Sequence, residues 1–146
     1  MIEKFCQYEA SQPDALFLAE PVHGTYRNFT WAQAGKEIRS MAAYLQQCGL
    51  QPGDKVGILS KNCAHWVLAD LSIALAGMVA VPLYPNISAE AVAEILAHSE
   101  TQLVFSGKLD QPEAIRSQIP STIKQIGFPF YRHSDTLQWD QITAAT

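Results

Sequence analysis

The sequence predicts an α/β fold: a parallel sheet built by flavodoxin-like alternation of strands and helices. Three observations carry that prediction. Lys55 to Ser106 reads as strand, helix, strand, helix, strand. Its first two strands, Val56 to Leu59 and Val79 to Leu83, are short, apolar and rich in β-branched residues, as expected of strands covered on both faces. Between them, roughly Cys63 to Ala76, the apolar residues Trp66, Val67, Leu68, Ala69, Leu71, Ile73, Ala74 and Leu75 cover all sides of a helix instead of one stripe. A helix of that kind has to be enclosed.

The remaining elements follow in order. Residues 1 to 12 fit an amphipathic helix, Pro13-Asp14 a turn and Ala15 to Ala19 a short strand. His23 to Phe29 reads as a hairpin-like segment with Gly24 and Asn28 at its bends. Thr30-Trp31-Ala32-Gln33 has the form of a capping box, in which the Thr30 hydroxyl and the Gln33 side chain each accept from the other residue's backbone amide. Trp31, Ala34, Ile38, Met41, Ala42, Leu45 and Cys48 then recur on one helical face, and Gly49 supplies the left-handed stop. Asn62 is placed to cap the apolar helix. Ser88 caps the next one, which turns Val92, Ile95 and Leu96 inward, runs to about His98 and delivers the strand Gln102 to Phe105. Asp110-Gln111-Pro112-Glu113 is a second capping-box candidate, opening a helix that reaches about Gln118. Ile123 to Ile126 reads as a strand, Phe128 to Tyr131 as an aromatic turn, and Leu137 to Thr146 begins as a helix.

At 146 residues the chain is one domain's worth. With 10 Lys and Arg against 14 Asp and Glu, a net charge of −4, it has no basic stripe to neutralise a phosphate backbone, which excludes nucleic acid as a partner. Cys6, Cys48 and Cys63 are odd in number and widely spaced, which fits free thiols in a reducing compartment. Met1 to Glu9 has acids where an export signal carries a basic flank. The expected location is cytoplasmic, with peripheral membrane association left open. Cys63 to Tyr84 is long and apolar enough to mimic a membrane span, but Asp70, Gly77 and Pro82 interrupt it. Helix plus buried strand is the better reading, and no transmembrane segment is expected.

Parallel sheets bind ligands outside the carboxyl ends of their strands. That rule points to Ser60, Lys61, Asn62, Tyr84, Asn86 and Ser106, all residue types that also serve as ordinary caps and turns. The glycines are scattered, with neither a Gly-x-Gly-x-x-Gly run nor a Walker loop. His23, His65, His98 and His133 share no ligand spacing. Cys63-Ala64-His65 brings two ligand types together, but His65 reads as a surface residue and no metal site is expected. No Ser-His-Asp or Cys-His arrangement follows from spacing.

Phe29-Thr30-Trp31, Gly49 to Val56, Trp66 to Leu71, and above all Ala76-Gly77-Met78-Val79-Ala80-Val81-Pro82-Leu83-Tyr84-Pro85 resemble a known family. The chain looks like the N-terminal part of the acyl-adenylate-forming (AMP-binding) synthetases of the long-chain fatty acid coenzyme A ligase type, over about Phe29 to Lys108. Asn86 stands where that branch commonly has threonine. The resemblance implies that the parent enzyme condenses a fatty acid with ATP to an acyl-adenylate and pyrophosphate, then transfers the acyl group to coenzyme A, with Mg2+ accompanying the ATP. In the family those steps rest on a Ser/Thr/Gly-rich lysine loop, an aromatic and acidic motif and a C-terminal lid lysine, none of which occurs in this sequence.

Residues 1 to 146 are therefore expected to be an N-terminal fragment of the AMP-binding domain, with a core unit at about 30 to 108 and no complete second domain. Alone they should be inert, with no catalytic residue and no tight binding of ATP, Mg2+ or coenzyme A. Ser60, Asn62, Tyr84 and Asn86 are the substrate-facing candidates. An apolar surface left by a missing remainder would favour homodimers or self-association. The alternatives are a free-standing small α/β binding module and an adenylating enzyme for a different carboxylic acid.

Overall fold

The computed structural model describes residues 2–22, 24–83, 87–109, 112–129 and 137–145. Helix α1 (Ile2–Ser11) precedes a hairpin of β1 (Leu16–Val22) and β2 (Thr25–Thr30), and α2 (Trp31–Gln47) follows directly. The central unit is β3 (Lys55–Leu59), α3 (Ala64–Leu75), β4 (Val79–Leu83), α4 (Ala89–Ser99) and β5 (Leu103–Ser106). The chain continues through α5 (Pro112–Arg116), β6 (Lys124–Gly127), β7 (Leu137–Gln138) and α6 (Trp139–Ala145).

Strands β3 to β7 form a five-stranded parallel sheet in the order β4-β3-β5-β6-β7. Counted from its own first strand the order is 2-1-3-4-5, the flavodoxin-like winding that the alternation predicts. Side-chain alternation divides the core between the two faces. Val56, Ile58, Leu103, Phe105, Ile126 and Phe128 pack with α2, α3 and α6. Leu59 and Val104 pack with Leu83, Val92 and Leu96, and with Ile115 and Ile119 near α5.

Helix α2 begins at the predicted capping box: Gln33 N donates to Thr30 Oγ1 at 3.1 Å and Thr30 N to Gln33 Oε1 at 2.9 Å. Its C-cap is Cys48, and Gly49 follows at φ 85°, the left-handed stop that glycine adopts without steric cost. Trp31 stacks on Phe17 with ring centroids 4.3 Å apart and also meets Phe5 and Tyr8, so aromatic burial holds α1 and the hairpin against α2. Glu9 reaches over Gly35 to Arg39 at 2.9 Å.

Several expectations are corrected. Asn28 is not at a bend but sits within β2, opposite Ala19, because β1 extends to Val22. Ile95 is exposed on α4, where Val92 and Leu96 are the inward pair. The enclosure of α3 is incomplete: Leu68, Ala69, Leu71 and Ile73 are buried, whereas Ala74 and Leu75 at its last turn are exposed. Strand β4 is not covered on both faces, since it lies at the sheet edge with Val79 and Pro82 exposed, and an edge is where a strand tolerates proline. Leu137-Gln138 form a short strand before the last helix begins at Trp139. Asp110 and Gln111 of the second capping-box candidate, with Phe130 and Tyr131 of the aromatic turn, lie outside the described residues. No helix among the described residues is long and apolar enough to cross a membrane.

Candidate functional site

The chain leaves β3 towards β4 on one side and returns to β5 on the other, so the winding reverses between β3 and β5. In open α/β sheets the ligand crevice lies at that reversal, outside the carboxyl ends of the strands. Here those ends are Ser60-Lys61-Asn62 and Ser106-Gly107-Lys108.

The structure laces the two loops together. Ser60 is 2% exposed, and its Oγ accepts from Lys108 N at 2.9 Å and donates to Lys61 O at 2.8 Å. Lys61 N donates to Lys108 O at 2.8 Å, and Gly107 N to Leu59 O at 3.1 Å. Gly107 is required by space: a Cβ there would stand 2.5 Å from Phe128 Cδ2 and 2.7 Å from Ser60 Oγ. Ser106 is fully buried, with no hydrogen-bond partner for its hydroxyl among the described residues. Of the sequence-selected residues the fold thus joins Ser60, Lys61 and Ser106 at the reversal and leaves Asn62 exposed on the rim. Tyr84 and Asn86 lie outside the described residues.

A groove of about 360 Å³ opens beside this lacing, between Leu18–Pro21 of β1, Asn62–Ala64 and Lys108. It ends at the N-terminus of α3, whose cap is Cys63 and not Asn62. The reason lies across the groove: the buried Glu20 carboxylate accepts from Ala64 N at 3.3 Å and takes the place of a side-chain cap. Burial pushes the Cys63 thiol up, and the Glu20 charge adds to that, outweighing the nearby amides and the Ser60 hydroxyl. Cys63 is thereby kept a thiol and is a poor nucleophile. A polyphosphate placed at this helix end would meet a carboxylate, so these residues do not fit the phosphates of ATP.

A second polar cluster lies on the α2, α3 and α6 side. His65 is not a surface residue: it is 1% exposed, held edge-on to Phe29 and Trp139 with ring centroids at 5.6 and 5.3 Å. Its Nε2 lies 3.8 Å from Glu37 Oε1, an ion-pair distance too long for a hydrogen bond, and has no hydrogen-bond partner among the described residues. Glu37 Oε1 also accepts from Trp139 Nε1 at 2.8 Å. Burial raises the Glu37 carboxyl, but His65, the Trp139 donor and Arg27 together outweigh it and hold the group below its ordinary value. Asp140 pairs with Arg27 at 3.8 Å, and Arg27 lies 5.0 Å from the centroid of the Phe29 ring. The cluster borders a cleft of about 450 Å³ lined in part by Arg27, Glu37, Asp140 and Thr143. Sequence spacing could not find it, because Glu37, His65 and Asp140 come from three separate helices. The one available signal was a histidine inside a largely apolar helix.

The parallel sheet with its reversal between β3 and β5 and helices packed on both faces defines an α/β domain of the doubly wound class. The AMP-binding enzyme family profile matches residues 5–143, and the chain belongs to that family. It is 34% identical over 100 residues to a long-chain-fatty-acid–CoA ligase of Mycobacterium bovis, a match covering 68% of this chain and 17% of that protein. Fatty acyl-CoA synthetase A of Dictyostelium discoideum is 36% identical over 110 residues, covering 75% of this chain and 16% of that protein. Among solved structures, the acetoacetyl-CoA synthetase of Streptomyces lividans superposes with a TM-score of 0.85 at 25% identity, covering 98% of this chain and 24% of that one. The chain therefore spans about a sixth of the curated relatives it matches.

Proposed function

We propose that these residues are the N-terminal part of the AMP-binding domain of an ATP-dependent fatty acid coenzyme A ligase, and that the 146-residue chain alone is catalytically inert. The observation that carries the reading is the family match over residues 5–143, together with fatty-acid-activating relatives at 34 and 36% identity. In the proposed reaction a fatty acid carboxylate attacks the α-phosphorus of ATP and expels pyrophosphate. The thiol of coenzyme A then attacks the acyl carbonyl and expels AMP. Mg2+ would accompany the nucleotide.

Within that enzyme this chain supplies a scaffold. Its β3–β5 reversal is locked by Ser60 and Gly107, and its α3 N-terminus is neutralised by Glu20, so the phosphate chemistry falls to other segments. The test is ATP–pyrophosphate exchange with the purified chain and with a C-terminally extended protein. We expect none from the first and fatty-acid-dependent exchange from the second, followed by coenzyme-A-dependent release of AMP. Exchange by the 146-residue chain would refute its inertness. The likeness to an acetoacetyl-CoA synthetase favours a second reading, adenylation of a different carboxylic acid. Exchange by the extended protein with a short oxo acid and not with fatty acids would decide for it.

A further inference from the structure

We propose that Glu37, His65 and Asp140 form a three-ligand site for a divalent transition-metal ion of the zinc class, completed by water from the adjoining cleft. Each residue offers one donor atom, and the three lie within 4.8 Å of one another. The donor set is one imidazole nitrogen and two carboxylates. An imidazole selects borderline metals over Mg2+ or Ca2+, and three protein ligands with an open fourth position is a common zinc arrangement.

The independent observation is His65 itself. A buried imidazole nitrogen with no hydrogen-bond partner among the described residues carries a desolvation cost that the Glu37 carboxylate, 3.8 Å away, offsets only in part. A metal ion supplies the missing partner for that atom. Trp139 Nε1, donating to Glu37 at 2.8 Å, acts as the outer hydrogen bond that orients a ligating carboxylate. The cleft of about 450 Å³ gives the ion an entry path and room for water.

The geometry is loose in a way the side chains can correct. A tetrahedral zinc with bonds near 2.1 Å sets its ligands roughly 3.4 Å apart. Glu37 and His65 at 3.8 Å are close to that, and Asp140, within 4.8 Å of both, must move inward by at most about 1.4 Å. Asp140, whose side chain is 40% exposed at the cleft, would exchange its 3.8 Å contact with Arg27 for the ion. The ion would tie α2, α3 and α6 together, a role independent of the adenylation chemistry.

The test titrates Zn2+, and Co2+ as a spectroscopic probe, into the 146-residue chain. One equivalent of Co2+ should give a visible d–d band without the sulfur-to-cobalt charge transfer of a cysteine site, and Zn2+ should compete it away and raise Tm. Asp140→Asn, on the rim, should keep the circular dichroism of the parent and weaken binding about tenfold or more. His65→Gln should abolish stoichiometric binding, and Cys63→Ser should leave it unchanged. Absence of stoichiometric binding, equal affinity in a folded Asp140→Asn protein, or loss of binding on cysteine substitution would each overturn the assignment.

Discussion

Replacing Ser60 with alanine tests whether the lacing at the β3–β5 reversal holds the fold. The hydroxyl joins two loops 48 residues apart in sequence, accepting from Lys108 N at 2.9 Å and donating to Lys61 O at 2.8 Å, in a residue only 2% exposed. Removing it deletes two neutral hydrogen bonds worth about 1 kcal/mol each and leaves an amide and a carbonyl to find other partners. Where water reaches both, the loss is about 2 kcal/mol. Where the Lys108 amide stays dry, the desolvation penalty takes it to about 3 kcal/mol. For a chain of this size that lowers Tm by roughly 4–9 °C. Urea unfolding followed by circular dichroism would read the loss as a lower midpoint at unchanged slope, because the surface exposed on unfolding stays the same. A loss below about 0.5 kcal/mol would refute the bracing role. In an active, longer protein the same variant separates the two readings of Ser60. A bracing residue lowers stability and leaves KM alone, whereas a substrate contact raises KM with stability intact.

Three further outcomes are expected. Thr30→Ala removes one half of the capping box and should cost about 1 kcal/mol by denaturant melt, with Thr30→Asn recovering most of it. Glu100 ends α4 in the left-handed region at φ 56°, where an L side chain is strained by about 1 kcal/mol. Glu100→Gly should therefore raise Tm by a degree or more, and a lower Tm would show that the Glu100 side chain contributes more than its strain costs. Burial raises the Asp70 carboxyl above its ordinary 3.8. A raised carboxyl favours the folded state below that value and loses its contribution as pH climbs through the folded one. Tm measured from about pH 4 to pH 7 should thus fall less in Asp70→Asn than in the parent. Parallel curves would sink the argument.

The fold was legible because its signals are local. A capping box, a glycine stop and apolar strand runs act within a few residues of themselves, and Thr30-Gln33, Gly49 and Lys55–Leu59 stand where those rules put them. The failures at β4, at the α3 cap and at His65 share a cause, which is that sheet order and tertiary contacts are not local. Val79 and Pro82 read as buried until the winding places β4 at the edge, where half of a strand's covering is missing. Asn62 reads as the cap of α3 until Glu20, 44 residues before Ala64, arrives at the Ala64 amide. The same limit governs the sites. The rule about strand ends selects Ser60 and Ser106 because it is a rule about topology, but it says nothing of what Ser60 bonds to. His65 is the sharpest case. Beside Asn62 and Cys63 it reads as the polar start of a helix, yet Phe29 from β2 and Trp139 from α6 close over it, and Glu37 from α2 supplies the charge. An imidazole in an apolar helix is evidence of a partner elsewhere in the chain, because burial without one is costly. Its position in sequence says only that the partner exists, and the packing of three helices says which residue it is.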